Sequence, residues 1–385
     1  MGHPHRPKEI VFGGKSQHFR IPALLYVDKW KKFLAFAERR TCCNKDESAK
    51  NLVMRTGTRQ SDGEVKWSPI KDLMKATKDK YRTMNPCPVF ETDTRTLFLF
   101  FICIKDKIKE GDLEPGQTCL CFVSTTDGGE TWSNLKDVTD DLVVADKKLS
   151  EYKTFAVGPG HGLEVRTSDF TRLLIPAYVK ISNEESHSLV LYSDNGGESW
   201  QAGQQLSKKT CECQVAKIQG GELYCNARND GCYRIEALSY NTEASFIILP
   251  SPSLKETPHG CQGSVLSFPD PNSSNMWLFF SHPTEGPKSC CESKWTRRDL
   301  GIYLRKSLQG PWSKPFIIHP GISGYSDLAQ CEEEHRFACL LECGKFCQLK
   351  IVFKEFTLGE VLNPGQVVSG SSCSPCCICG SCCLL

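Results

Sequence analysis

Six thiols crowd the last 13 residues: Cys373, Cys376, Cys377, Cys379, Cys382 and Cys383. Cys382 stands fourth from Leu385 and is followed by Cys, Leu, Leu, the spacing of a prenylation box whose final Leu favours geranylgeranyl. The neighbouring thiols Cys376, Cys377, Cys379 and Cys383 are candidates for S-acylation, the second anchor that stable membrane attachment needs. Clustered thiolates also bind soft metals, but two clean Cys-x-x-Cys knuckles are missing. A passive tail is the third reading. Lipidation is the reading adopted. It would hold the protein on the cytoplasmic side of the plasma membrane or endomembranes, with the cytosol as the alternative.

The other 17 of the 23 cysteines are scattered from Cys42 to Cys347. Many, such as Cys103 and Cys121, lie inside apolar runs, where a free Cys behaves as a small hydrophobe. The first ten residues are polar and lack the apolar stretch of a secretory signal. A reduced, cytosolic chain is therefore expected. No run of about 18 apolar residues would span a membrane. The net charge of +2 gives no reason to expect a nucleic-acid partner.

The elements that must position any chemistry are strands. Leu97–Ile104, Cys119–Ser124, Leu173–Tyr178, Ser188–Tyr192, Met276–Ser281 and Gln348–Phe353 are apolar, β-prone runs separated by Gly, Pro, Asn and Asp. Helical periodicity is weak, with at best a short surface helix over Ile70 to Lys78. One hairpin occurs twice. Thr125-Thr126-Asp127-Gly128-Gly129-Glu130-Thr131-Trp132 returns as Ser193-Asp194-Asn195-Gly196-Gly197-Glu198-Ser199-Trp200. Asp or Asn bonds its own backbone in such a turn, Gly accepts positive φ, and the Trp buries apolar area beneath it. Ser239 to Phe246 is a worn third copy, and Trp67-Ser68 and Trp312-Ser313 echo Trp132-Ser133. Such repetition fits an all-β propeller better than a sandwich. The expected division is a propeller over 1–363 and a Gly/Ser/Cys-rich tail over 364–385.

These hairpins occur with Phe19-Arg20-Ile21-Pro22, Phe36-Ala37-Glu38-Arg39-Arg40, Met84-Asn85-Pro86-Cys87-Pro88, Gly260-Cys261-Gln262-Gly263-Ser264 and Gly324-Tyr325-Ser326-Asp327-Leu328. The ordered set resembles the exo-α-sialidases of vertebrates, most of all the membrane-associated ganglioside type. The resemblance covers nearly all of residues 10 to 357. It implies a six-bladed β-propeller with a central site, and it implies substrates among gangliosides and sialylated oligosaccharides. No metal or organic cofactor is expected.

Sialic acid carries a carboxylate on its anomeric carbon, which fixed guanidinium groups suit because their planar forks bond carboxylates bidentately. The resemblance places this clamp at Arg20, Arg228 and Arg297, with Arg298 a rival for the third place. A carboxylate nucleophile would be repelled by the substrate's own charge, and sialidases use Tyr instead. The resemblance implies Tyr325 as nucleophile, Glu212 as its base and Asp46 as acid, with Glu47 as the fallback for Asp46. The clamp is expected to lower the Tyr325 pKa. Glu38 and Arg40 are expected to meet the sugar's 4-hydroxyl side. Asn85, Tyr178 and Gln262 are expected to wall the pocket, and Glu342 to orient Arg20. A trans-sialidase and a catalytically silent sialic-acid-binding propeller are the alternatives.

Overall fold

The computed structural model describes residues 9–14, 17–42, 45–166, 170–240, 245–250, 253–286, 296–333, 335–345 and 348–364. The cysteine-rich tail and residues 241–244 of the worn third hairpin lie outside them. The described chain is all-β in class: its regular structure is strands and short 3-10 turns, with one short α-helix, Leu358–Leu362.

Six antiparallel blades form a β-propeller. The innermost strands of the first four are His18–Val27, Tyr81–Glu91, Thr154–Val157 and Cys213–Lys217, each starting its own sheet. The fifth and sixth blades are joined through one long strand, Phe316–Gln330. Its first half, 316–322, closes the fifth blade against Arg298–Arg305. Its second half, 323–330, opens the sixth against Arg336–Lys345. The ring closes where Glu9–Phe12 pairs with Gln348–Thr357, so the N-terminal segment supplies the outer strand of the last blade. Both ends of the described chain are thereby held in one sheet.

The twin hairpins work between blades rather than only beneath their own turns. Trp132 meets Phe36 of the preceding blade at a centroid distance of 6.3 Å, and Trp200 meets Phe100 at 4.6 Å. Gly197 lies so near Phe98 that a Cβ there would come within 2.3 Å of the ring. Asp127 accepts from the Thr131 backbone N–H at 3.0 Å and from its hydroxyl at 2.6 Å. In the second copy Asn195 accepts from the Ser199 N–H at 3.0 Å, but its amide donates to the Ser199 hydroxyl at 2.9 Å. The hydroxyl turns round, and Asn makes the same turn. The Trp-Ser echoes are structural too: Ser68, Ser133 and Ser313 hydroxyls each accept a backbone N–H, from Thr56, Ser124 and Leu304.

The surface helix expected over Ile70 to Lys78 is replaced by a two-residue strand, Lys71–Asp72, and a single 3-10 turn, Met74–Ala76. Leu73 and Ala76 are both buried, and anchoring them three residues apart leaves room for one tight turn.

Candidate active site

Antiparallel order sends the N-terminal end of every innermost strand, and the C-terminal end of its neighbour, to one face of the ring. Arg20 lies near the start of His18–Val27, Glu212 immediately precedes Cys213–Lys217, and Tyr325 is early in the sixth blade's half of Phe316–Gln330. Arg228 follows Leu223–Ala227, and Glu342 lies near the end of Arg336–Lys345. A cavity of about 540 Å³ opens on this face. Its lining includes Arg20, Asp46, Asn85, Tyr178, Glu212, Arg228, Arg297, Tyr325 and Glu342. Arg297, not its neighbour Arg298, reaches this cavity.

The three guanidinium groups surround one phenol. Arg228 Nη1 donates to Tyr325 Oη at 3.0 Å, and the Arg20 and Arg297 groups stand 5.2 Å and 5.6 Å from the ring centroid. Each has a fixed partner. Arg20 bonds both oxygens of Glu342, at 3.0 and 3.2 Å. Arg228 bonds Glu212 Oε2 at 2.8 Å and the His259 carbonyl at 2.7 Å. Arg297 donates to the Gly260 carbonyl at 2.6 Å. Glu342 also accepts the backbone N–H groups of Ile21 and Tyr325 at 2.9 and 3.1 Å. One buried carboxylate thus fixes the clamp relative to the phenol. Burial opposes its charge, but Arg20 and these donors hold Glu342 below the usual carboxylate range.

The backbone is shaped to permit this. A Cβ on Gly324 would lie 2.3 Å from Glu342 Oε2. Gly260, at φ +67°, would bring a Cβ within 2.7 Å of Arg228 Nε. Ile21, a β-branched residue, is held at φ +60°, a strained conformation that the Glu342 bond to its N–H helps to fix.

Tyr325 Oη donates to Glu212 Oε1 at 2.5 Å. The three arginines pull the phenol pKa down as expected, but they do not set its direction. Burial, followed by the Glu212 charge, raises it well above the ordinary value and outweighs the pull of Arg228, Arg297 and Arg20. The phenol is neutral at rest.

Asp46 opens the 3-10 turn Asp46–Ser48 and faces the cavity with its side chain 43% exposed. Arg40 Nη2 holds its carboxylate at 2.9 Å. Glu47 is exposed and does not line the cavity.

Three expectations need correction. Glu38 and Arg40 are buried behind the cavity wall and do not line it. Arg40 bonds Glu38 at 2.7 Å and Asp46, while Glu38 accepts the Asn85 N–H at 2.8 Å. They support Asp46 and Asn85 instead of meeting the cavity. Gln262 is also buried behind it: its amide bonds the Pro159 and Ser326 carbonyls and accepts the Ser326 N–H. Asn85 and Tyr178 do wall the cavity, and Glu342 does hold Arg20.

The sequence reading missed the hub beneath the site. Asp327, fully buried, accepts from Leu24 N–H at 2.8 Å, the Ser264 hydroxyl at 2.8 Å and pairs with His161 at 2.7 Å. It ties the first and fifth blades and the loop after Thr154–Val157 to the sixth. An Asp two residues after the motif's Tyr, on an inward-facing strand, was the available signal.

The comparisons agree with this geometry. A family model described as BNR repeat-like domain matches residues 31–338. Bovine sialidase-3 is 39% identical, covering 90% of this chain and 91% of its own. Chinese hamster sialidase-2 is 36% identical, covering 93% and 97%. Trypanosoma rangeli sialidase in complex with sialic acid superposes with a TM-score of 0.74 at 17% identity, covering 93% of this chain and 60% of that one. The Ruminococcus gnavus intramolecular trans-sialidase gives 0.73 at 18%, covering 92% and 98%. Both structures bear on the fold alone. The chain belongs to the sialidase family and is an exo-α-sialidase. Among its vertebrate relatives are the sialidase-3 proteins of cattle, humans and mice, at 38–39% identity.

Proposed function

We propose that this sialidase is a retaining enzyme acting through a tyrosyl intermediate on gangliosides and related sialosides. Arg20, Arg228 and Arg297 bind the substrate carboxylate. Tyr325 Oη attacks the anomeric carbon while Glu212 takes the phenol proton. Asp46 gives its proton to the departing glycosidic oxygen, leaving sialic acid bonded to Tyr325. Asp46 then takes a proton from water, which attacks the same carbon. The Tyr325–carbon bond breaks, and Glu212 returns the proton to the phenolate. Two inversions give net retention.

The observation that carries this reading is the Tyr325–Glu212 hydrogen bond at 2.5 Å beneath the three arginines. A neutral phenol is a poor nucleophile until a base removes its proton, and Glu212 is within reach. Moving the proton inside the pair leaves its net charge unchanged, so a buried site can tolerate it. The test is release of a fluorogenic aryl group from an aryl sialoside, with Tyr325→Phe as control. Full activity in that variant would remove Tyr325 from the mechanism. The ganglioside preference is supported by the resemblance to the membrane-associated vertebrate enzymes and by the thiol-rich tail, which we propose anchors the propeller at the cytoplasmic face of membranes.

A further inference from the structure

The catalytic cavity does not end at its lip. A second depression, about 520 Å³, adjoins it and shares Asn183 and Glu184 with it. The same three chain segments wall both. Glu110 lines the catalytic cavity, and Glu114 and Pro115 the depression. Thr154 and Phe155 line the first, and Glu151 and Lys153 the second. Lys180 faces the cavity, and Ile181 and Ser182 face the depression. An ion pair at 2.6 Å between Lys180 and Glu110 joins two of these segments at the cavity lip. Arg82, buried in the wall of the catalytic cavity, donates to the Lys105 and Ile108 carbonyls at 3.0 and 2.8 Å and so fixes the approach to Glu110.

The two floors present different groups. Three guanidinium groups meet the sialic acid. The depression carries the carboxylates of Glu114, Glu151 and Glu184 against one ammonium, Lys153, whose Nζ is bonded to the Leu113 carbonyl at 2.8 Å. Its remaining polar groups, on Ser182 and Asn183, suit sugar hydroxyls, and the exposed Ile181 offers an apolar face to a sugar ring.

We propose that this groove is the subsite for the sugar that carries the sialic acid, and that Glu114 and Glu151 select neutral over sialylated sugars there. A hexose places hydroxyls, which donate to carboxylates. A second sialic acid places its own carboxylate against acidic walls, and like charges brought together at an interface are a source of discrimination. The inference rests on the sialidase activity of the central cavity and extends it outward.

The test uses the full chain and three substrates: an aryl sialoside, sialyllactose, and an α2,8-linked disialyllactose. The variant is E114Q/E151Q, which keeps size and hydrogen-bonding capacity and touches no residue of the catalytic cavity. At low salt its kcat/KM for the disialyl substrate relative to sialyllactose is expected to rise by about fivefold or more, because screening is weakest there. The aryl sialoside, which does not fill the groove, should change less than about twofold. Raising the salt should narrow the wild-type preference and leave the variant unaffected. A second variant, Ser182→Trp, should raise KM for sialyllactose while sparing the aryl sialoside. An unchanged disialyl-to-monosialyl ratio at low salt, or equal effects of Ser182→Trp on both substrates, would overturn the proposal. Loss of aryl sialoside turnover in the wild type would instead contradict the activity on which it rests.

Discussion

Tyr325 and Glu212, 113 residues apart and on different blades, share a 2.5 Å hydrogen bond at the centre of the ring. Arg228 touches both, bonding Glu212 Oε2 at 2.8 Å and Tyr325 Oη at 3.0 Å. The guanidinium therefore stabilises the pair whichever partner carries the negative charge. That symmetry is what a proton shuttle needs, since neither end state leaves a bare buried charge.

Asp46 should matter most when the leaving group is poor. Asp46→Ala is expected to slow sialyllactose hydrolysis by roughly 10²–10⁴-fold, the usual contribution of general acid catalysis. Aryl sialosides with activated leaving groups should lose far less in their first step. Steady-state rates on a series of leaving groups provide the comparison, and equal loss across it would remove Asp46 as the acid.

Gly324 has a defined steric role. An added Cβ would meet Glu342 Oε2 at 2.3 Å and push the carboxylate away from Arg20. Gly324→Ala should cost about 1–3 kcal/mol of stability by overpacking. In the fraction that folds, KM for sialosides should rise more than kcat falls, because the clamp is misplaced. Thermal melts and initial-rate kinetics on the same preparation measure both effects.

Much of this was legible in the sequence, and the rest failed for physical reasons. Arg20, Arg228 and Tyr325 could be placed because each sits in a short motif whose neighbours the geometry now explains: Gly260 clears Arg228, and Gly324 clears Glu342. Glu38, Arg40 and Gln262 belong to equally recognisable motifs, yet lie behind the wall. A motif marks a residue that the site requires without saying whether it touches the cavity. The downward pull of the arginines on the Tyr325 pKa was legible, but the larger opposing effect of burial was not, because charges can be counted from sequence and burial cannot. The joining of two blades by Phe316–Gln330 was hidden, because Pro320-Gly321 and Ser323-Gly324 read as a break between strands although one strand runs through them, with Gly321 at φ +95°.

The His161–Asp327 pair gives a pH signature. Burial pushes the imidazolium's pKa down, but the Asp327 charge and hydrogen bond outweigh it and hold it above the ordinary 6.5. A folded-state pKa above the unfolded one means the contribution is fully present below pH 6.5 and is lost as pH rises through the folded value. The Tm difference between wild type and His161→Gln should therefore be largest in acid and shrink with rising pH. A difference that grows with pH would contradict the pairing.

The tail can be tested apart from the propeller. Replacing Cys373, Cys376, Cys377, Cys379, Cys382 and Cys383 by Ser should move the protein from the membrane to the soluble fraction, because anchoring needs two lipid signals. Activity on soluble sialosides should persist, since Arg20, Asp46, Glu212, Arg228, Arg297 and Tyr325 all precede the tail in the sequence. Labelling with alkyne analogues of palmitate and geranylgeranyl would separate the two modifications. Unchanged partition would discard the anchor.

The central claim is that the sugar passes through a covalent bond to Tyr325. Its most direct test is intact-protein and peptide mass spectrometry after brief exposure to a 2,3-difluorosialic acid, which slows the second step. The expected result is one added 3-fluorosialyl group, formed with loss of fluoride from the anomeric carbon, located on the peptide bearing Tyr325 and absent from Tyr325→Phe. An adduct on Glu212, or hydrolysis with inversion and no adduct, would contradict it.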